Sequence, residues 1–318
     1  MKTWIDFDEA PVFAIPLTDE FDGLRVYEGM VIEGPQGWGE FSAPSDCTEE
    51  RAGRWLTASI EAGTVGWPDP VRGRVPVAVT VPSVDPVRAR QMVAGAACKT
   101  AAVRVGGTLA EDVARVEAVR DALGPAGAIR CNAGGNWDVE TAVTAIETLD
   151  RAAGGLQFVE QPCRSLGETA RLRRRVTTPI AIPVDADIAP GELGASADIA
   201  MLNVGALGGV RRAMRVADTC GLPCVVVTSL QSSIGVAAGL ALAGVLPDIG
   251  FDSELATVGL LSGDLVSAGR TLIPVDGYLP VAPMPAGPDA NRLARFAVTD
   301  PATIDRWRNR LSAARRYI

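Results

Sequence analysis

The sequence predicts an α/β protein: a parallel (β/α) barrel that carries a smaller α+β capping domain. From residue 77 onward, short apolar runs rich in β-branched residues alternate with amphipathic helical patterns, and about eight such runs occur. Before residue 77 the pattern is that of antiparallel hairpins followed by one helix. We therefore predict a capping domain over 1–76, completed by 285–318, and a barrel over 77–284.

In the capping domain, alternating apolar residues predict strands at 11–17, 24–33 and 37–42, with an acidic loop over 18–23. A helix is predicted over 48–65, because Thr48 and two glutamates precede apolar residues at helical spacing. The tail over 301–318 has the pattern of a basic amphipathic helix, which we expect to pack back on the capping domain.

The barrel part is predicted from its apolar runs and from the helical patterns between them. Strands are expected at 77–81, 101–105, 128–132, 157–160, 180–184, 199–204, 224–228 and 254–257, and helices at 109–123, 138–153, 166–175, 208–219 and 234–246. An open dinucleotide-binding sheet is the alternative, but no Gly-x-Gly-x-x-Gly follows the first strand.

Composition limits the chemistry and the partners. The net charge of −8 argues against a nucleic-acid or anionic membrane surface, and no apolar run of membrane-spanning length occurs. We expect a cytoplasmic protein with a small-molecule substrate, no nucleic-acid partner and no membrane partner; no pattern sets an oligomeric state. The chain has no histidine, so acid–base chemistry must come from other side chains or a metal-bound water.

Ala102 and Arg104 lie on one face of the apolar strand over 101–105, because side chains alternate along a strand. An arginine there is costly unless it points into a polar cavity. In a β/α barrel that cavity is the mouth at the carboxyl ends of the strands. The alternative is an arginine that extends to the rim and pairs with a neighbouring helix.

Other strands also end in polar residues: Asn132, Glu160, Asp185, Asn203, Ser229 and Glu254. Glu160 and Asp185 beside Asn132 form an oxygen set suited to Mg²⁺. The alternative for each acid is a solvated strand end or a helix N-cap. Cys131 precedes Asn132, so alternation points its thiol into the core.

Several stretches resemble the o-succinylbenzoate synthase family of the enolase superfamily, which belongs to the menaquinone pathway: residues 37–42, 112–124, 159–163 and 207–211. The resemblance implies a capping domain on a modified β/α barrel. It also implies syn-dehydration of a cyclohexene dicarboxylate. In that family a Lys-x-Lys pair on the second strand supplies the base, three carboxylates hold Mg²⁺, and a further lysine lies on the sixth strand.

At the positions that match this pattern, the sequence departs from it. Ala102 and Arg104 stand at the Lys-x-Lys pair, Asn132 at the first metal carboxylate, and Asn203 at the sixth-strand lysine. Glu160 and Asp185 match the other two metal carboxylates, with Asp187 close by. The capping loop, often basic in relatives, carries Asp19, Glu20 and Asp22 here.

These departures predict altered chemistry. Arginine stays protonated at neutral pH and cannot act as an ordinary base. One carboxylate fewer weakens the metal site, so we expect no cofactor or a weakly bound Mg²⁺. An acidic loop repels a dianion, so the substrate is expected not to be one. Two acids close together need a cation, so Arg104 is predicted to pair with Glu160 or Asp185.

The main prediction is therefore a divergent enzyme that lacks the family's dehydratase activity. It would act as a lyase, isomerase or cyclase on a small molecule, for which natural-product biosynthesis is one setting. The catalytic candidates are Arg104, Glu160, Asp185 and Asp187, and the substrate-binding candidates are Asp19, Glu20, Ala102, Asn132, Asn203, Ser229 and Glu254. One alternative is a non-catalytic small-molecule-binding or scaffold protein. The second alternative is a residual o-succinylbenzoate synthase.

Overall fold

The structure, a computed structural model, describes residues 5, 7–184, 188 and 190–318. The capping domain begins with a three-stranded antiparallel sheet of β1 (Val12–Phe21), β2 (Leu24–Glu33) and β3 (Trp38–Phe41). Helix α1 (Glu49–Thr64) follows, and the Thr48 hydroxyl accepts a hydrogen bond from the Arg51 amide at 3.3 Å. The helix lies against β3 at Gly39, where a Cβ would stand 2.1 Å from the Ser59 carbonyl oxygen. Only glycine permits this approach.

The predicted acidic loop over 18–23 is wrong in its extent. Strands β1 and β2 run on into it, and the hairpin closes through a two-residue turn, Asp22-Gly23. Both turn residues have positive φ, +52° and +80°. An Asp-Gly pair with this geometry matches the twist of the flanking strands, which favours a tight hairpin over a long loop.

The barrel strands and the helices around them follow one another along the chain. The remaining strands are β4 (Arg74–Pro76), β5 (Val79–Val81), β6 (Thr100–Arg104), β7 (Ala128–Asn132), β8 (Phe158–Glu160), β9 (Ile180–Pro183), β10 (Ile199–Asn203), β11 (Cys224–Val227) and β12 (Tyr278–Pro280). The remaining helices are α2 (Pro86–Ala96), α3 (Leu109–Leu123), α4 (Val139–Ala153), α5 (Leu166–Arg173), α6 (Pro190–Ser196), α7 (Val204–Leu207), α8 (Val210–Thr219), α9 (Ser233–Val245), α10 (Ala290–Phe296) and α11 (Pro301–Ala314).

Strands β5 to β11 form one parallel sheet in chain order. Its two edges meet at a short segment, because Ser253 bridges to Val77 and Glu254 bridges to Val227, both in parallel orientation. The barrel therefore closes, and the predicted fold class is confirmed. The predicted strand over 254–257 is reduced to these bridges, since a 3₁₀ helix, Thr257–Leu260, begins at once.

The predicted strand over 77–81 is shorter in the structure, where β5 covers Val79–Val81 and Val77 forms only a bridge to Ser253. Strand β4 ends at Pro76 and pairs antiparallel with β12, whereas β5 begins at Val79 and enters the barrel sheet. Proline cannot donate to a sheet, so Pro76 suits a strand end better than a continuous strand.

The packing of the last helix also positions the site. Helix α11 packs on the capping domain, where Trp307 and Leu311 share a core with Met30, Phe41 and Trp55.

Cys131 lies in the barrel core, where burial raises the pKa of its thiol. Within the described part of the chain, no helix is long and apolar enough to cross a membrane.

Candidate active site at the barrel mouth

A row of three polar side chains crosses the carboxyl ends of β6, β7 and β8. Strand register places Arg104 beside Asn132, and Asn132 beside Glu160. Arg104 Nη1 donates to Asn132 Oδ1 at 2.6 Å, and Asn132 Nδ2 donates to Glu160 Oε2 at 2.8 Å. The amide of Asn132 thus separates a guanidinium from a carboxyl group and forms one hydrogen bond with each.

Arg104 also forms an ion pair with the capping domain. Its Nε lies 2.7 Å from Asp22 Oδ1, at the tip of the β1–β2 hairpin. The expected direct pairing of Arg104 with Glu160 is therefore wrong, because the Asn132 amide stands between them. The proposed partner Asp185, and Asp187, lie outside the described residues.

Glu160 is fully buried, and its Oε1 has no hydrogen-bond partner among the described residues. Burial raises the pKa of Glu160 well above its usual range, and the neighbouring Glu254 carboxylate raises it further. A buried carboxyl beside another carboxylate is held towards its neutral form.

Arg130 lies beneath the mouth, two residues before Asn132 on β7, and was not predicted from the sequence. Its guanidinium, fully buried in the barrel, donates to Glu254 Oε1 at 2.9 Å, to Gln157 Oε1 at 2.8 Å and to the Asp252 carbonyl at 2.8 Å. It also lies over the Phe158 ring, 4.6 Å from the centroid. Arg130 is two residues before Asn132, so the alternation that singled out Arg104 also points Arg130 inward.

The other acids of the hairpin turn away from the mouth. Asp19 pairs with Arg88 at 2.8 Å, and hydrogen bonds from Arg88 lower the pKa of Asp19. Glu20 pairs with Arg25 on the neighbouring strand at 2.8 Å. Neither lines the cavity, since Asp19 pairs with Arg88 of α2 and Glu20 pairs with Arg25 of β2, and their role in substrate binding stays a prediction.

The mouth opens into a cavity of about 1180 Å³ between the barrel and the capping domain. Five predicted residues line it: Ala102, Arg104, Asn132, Ser229 and Glu254. Residues from the capping domain and from α11 also line it, among them Asp22, Leu24, Val26, Trp307 and Arg310. These residues could not be predicted from the sequence, since their approach to the mouth depends on how the two domains dock.

Asn203 stands behind the cavity wall rather than in it. Its Nδ2 donates to Ser229 Oγ at 3.1 Å, and its Oδ1 accepts the Gly205 amide at 3.0 Å at the start of α7. Asn203 therefore fixes the orientation of Ser229, which does line the cavity.

Of the predicted metal set, Asp185 lies outside the described residues, and the described members Asn132 and Glu160 do not form a metal site by themselves. Asn132 Oδ1 already accepts hydrogen bonds from Arg104 Nη1 and from the Gly134 amide at 3.0 Å, which occupy its two lone pairs. The Arg104 cation also stands where a metal ion would approach that oxygen. No group of three acidic, cysteine or histidine side chains suited to a metal occurs among the residues described. Among the described residues, Glu160 Oε1 has no hydrogen-bond partner.

The comparisons with known proteins first define a class. Residues 86–288 match the model of the enolase C-terminal domain-like family, and residues 12–63 match the enolase N-terminal domain-like family. A muconate lactonizing enzyme from Pseudomonas fluorescens, solved with muconolactone, is 20% identical and superposes with a TM-score of 0.77 over 93% of this chain and 99% of that one. A dipeptide epimerase from Enterococcus faecalis, solved with Mg and a dipeptide, is 19% identical with a TM-score of 0.73, over 89% and 98%. The fold is that of the enolase superfamily.

Curated relatives then narrow the class to one family. The o-succinylbenzoate synthase of Thermobifida fusca is 46% identical over 310 residues, which cover 95% of each chain. That of Mycolicibacterium smegmatis is 39% identical over 298 residues, or 91% of this chain and 90% of the relative. The chain belongs to the o-succinylbenzoate synthase family.

Proposed function

We propose that the protein is a small-molecule lyase of the o-succinylbenzoate synthase type, with its reaction at the barrel mouth. The observation that carries the proposal is the 46% identity to the Thermobifida fusca relative over 95% of both chains. Similarity over that length includes the capping domain, the barrel and the cavity between them. It favours the residual synthase, which was the second alternative, over the main prediction of a repurposed enzyme.

The residues of this mouth suggest how such a dehydration would run. The reaction removes a proton next to a carboxylate and expels a hydroxyl group as water. The chain has two lysines, Lys2 and Lys99, and Lys99 precedes β6 at the end opposite the mouth. We assign the proton transfer to Glu254, a carboxyl that lines the cavity.

Arg104 would supply electrostatic stabilisation in this scheme. Its fixed positive charge can stabilise the negative charge that builds up on a substrate carboxylate as the neighbouring proton leaves. The Ser229 hydroxyl, which also lines the cavity, adds a hydrogen-bonding group. Catalytic roles for Glu160, Asp185 and Asp187 stay predictions, as does a Mg²⁺ that is weakly held or absent.

A second candidate is the repurposed lyase, isomerase or cyclase. The observation in its favour is that Ala102 and Arg104 lie on the same face of β6 and both line the cavity. A cavity with a fixed cation and no amine base suits a ring closure or rearrangement that needs little proton abstraction. Positioning alone can accelerate such a reaction.

An activity assay separates the two candidates. Purified protein is given the family's cyclohexene dicarboxylate with and without Mg²⁺, and the aromatic product is followed by absorbance. We expect turnover that falls about 10²- to 10⁴-fold in Glu254→Gln. Glu140→Gln, which changes an exposed carboxylate paired with Arg175, is the matched control and should keep wild-type turnover. No turnover from a folded protein that still binds a carboxylate in the mouth would favour the second candidate.

A further inference from the structure

We propose that Arg104 is the carboxylate-binding residue of the mouth, and that Asp22 occupies its place in the free protein. A ligand carboxylate would displace Asp22 from Arg104 and free the tip of the β1–β2 hairpin. The ligand class is a small organic acid that places one carboxylate on the guanidinium. This inference rests on the proposed function only in locating the ligand at the mouth.

The surroundings of Arg104 hold its guanidinium in a fixed place. Asn132 accepts from Nη1 at 2.6 Å and is itself held by Glu160. Gly134 leaves the space that the group fills, since a Cβ there would stand 2.6 Å from Nη2, and its φ of +61° suits glycine. The guanidinium therefore keeps its position when its partner on the Nε side changes.

Asp22 is a replaceable partner. The Asp22 side chain is 36% exposed, so solvent screens its ion pair with Arg104 and the pair adds little stability. It belongs to a two-residue turn, and the ladder between β1 and β2 is irregular between Pro16 and Phe21. The hairpin tip can thus shift without breaking a continuous ladder.

The cavity around this pair has room for an organic acid. Ala102 lies on the same strand face as Arg104 and presents only a methyl group to the cavity. Leu24 and Val26 add apolar surface from the hairpin, and Ser229 adds a hydroxyl group. A guanidinium within an apolar wall matches a carboxylate on a hydrocarbon ring or chain.

Binding measurements test the inference without any need for turnover. Cyclohexanecarboxylate is titrated into the full chain by calorimetry, with cyclohexanecarboxamide as the neutral probe of the same shape. We expect the acid to bind and the amide to bind at least tenfold more weakly. Asp22→Asn should raise the affinity for the acid about tenfold, because the competitor for Arg104 is gone. Arg104→Gln should lower it about tenfold or more.

Arg88→Gln is the matched control. It breaks the other ion pair of the same hairpin, Asp19 with Arg88, and leaves the mouth untouched. It should not change the affinity for the acid. If Arg88→Gln and Asp22→Asn raised the affinity for the acid equally, the cause would be a looser hairpin. That result would overturn the proposal that the ligand carboxylate replaces Asp22 on Arg104. Equal affinity of wild type and Arg104→Gln would overturn the role of Arg104.

Arg104→Lys keeps a cation at the mouth and guards against a misfolded Arg104→Gln. The Arg104→Lys variant should still bind cyclohexanecarboxylate more tightly than cyclohexanecarboxamide, although by a smaller factor than wild type. Inorganic phosphate serves as a further probe, and binding as tight as that of the organic acid would refute a site shaped for a carboxylate. Acid binding that depends on Arg104 supports the inference even where the dehydration assay fails, so the two proposals fail separately.

Discussion

Asn132 governs the charges of the mouth at the scale of single residues. Its amide presents an oxygen to the Arg104 cation and an N–H to the Glu160 carboxylate. A carboxylate at this position would keep the first contact and lose the second. The two acids would then face each other across the 2.8 Å now taken by a hydrogen bond, and they would have to share a proton or hold a cation between them.

Replacing Asn132 with Asp should therefore create a demand for metal. We expect Asn132→Asp to lose about 1–3 kcal/mol of stability in a chelator, because Glu160 loses its donor. Millimolar Mg²⁺ should then raise its melting temperature by several degrees more than that of wild type. The measurement is the melting temperature of wild type and of Asn132→Asp, each with and without Mg²⁺.

Asn203→Asp is the control for this change. Asn203 contacts Ser229 and the start of α7 rather than another acid, so Asp at 203 should gain no extra response to Mg²⁺. Wild type responding to Mg²⁺ as strongly as Asn132→Asp would show that a metal site exists without the added carboxylate.

The polar residues of the mouth were more predictable from the sequence than their partners. Strand alternation indicated Ala102 and Arg104, the strand end indicated Asn132, and all three line one cavity. The partner of Arg104 was missed because Asp22 belongs to another domain, and only the docking of the hairpin brings it within reach. Arg130 was missed although the same alternation points to it.

At the scale of elements, a buried carboxyl joins β3 to the start of α9. Glu40 accepts hydrogen bonds from the Tyr27 and Ser232 hydroxyls and from the Ser232 amide at 3.3 Å. Burial raises the pKa of Glu40 to about 7, and these hydrogen bonds offset part of the shift. Asp264 is the other carboxylate whose charge acts on it, and Tyr27 is held in its neutral form by burial.

The raised pKa of Glu40 makes stability depend on pH. Between pH 4.5 and about 7 the folded protein holds a proton on Glu40 that the unfolded chain has released. Stability should therefore fall as pH rises through this window, by up to about 3 kcal/mol from this group. Glu40→Gln should remove that part of the slope in urea unfolding measured from pH 5 to pH 8.

Ser59→Ala is the control at the same joint, because the Ser59 hydroxyl donates to the Glu40 carbonyl and carries no charge. It should lower stability at every pH and leave the slope as it is in wild type. A Glu40→Gln slope equal to that of wild type would show that Glu40 is ionised in the folded protein throughout the range.

Most elements were predictable because their signals are local. Helix α3 begins and ends at the predicted residues, and Thr108 caps its first turn. The errors arose where a local signal was outweighed or overlooked. Thr18, Asp19 and Glu20 were taken for loop, whereas the Asp-Gly turn was the stronger signal. The closing segment at 253–254 is too short for any periodicity to show.

At the scale of the whole molecule, both ends of the described chain contribute to one core. Trp307 on α11 packs edge-on against Phe41, with ring centroids 6.0 Å apart, and its Nε1 donates to Glu28. A second cluster joins the two domains, since Phe13 and Tyr27 of the hairpin share it with Leu230 and Leu260 of the barrel. We expect capping domain and barrel to unfold in one transition for this reason.

Trp307→Ala should cost about 3–5 kcal/mol, because it leaves a large cavity in the shared core and frees the Glu28 carboxylate. Urea unfolding followed by circular dichroism measures the loss. Arg306→Gln, which breaks the neighbouring half-exposed ion pair with Glu28, should cost no more than about 1 kcal/mol. Similar costs for the two variants would mean that α11 contributes little to the core.

The row of Arg104, Asn132 and Glu160 constrains how this protein can evolve. The three residues stand at one level on adjacent strands, and the middle one is hydrogen-bonded to both others. A change at one position alters which residue is tolerated at the next, so substitutions here are epistatic. A series of substitutions that changes Asn132 first passes through different intermediate variants from a series that changes Arg104 first. Libraries that vary the three codons together will therefore reach active combinations that stepwise selection cannot.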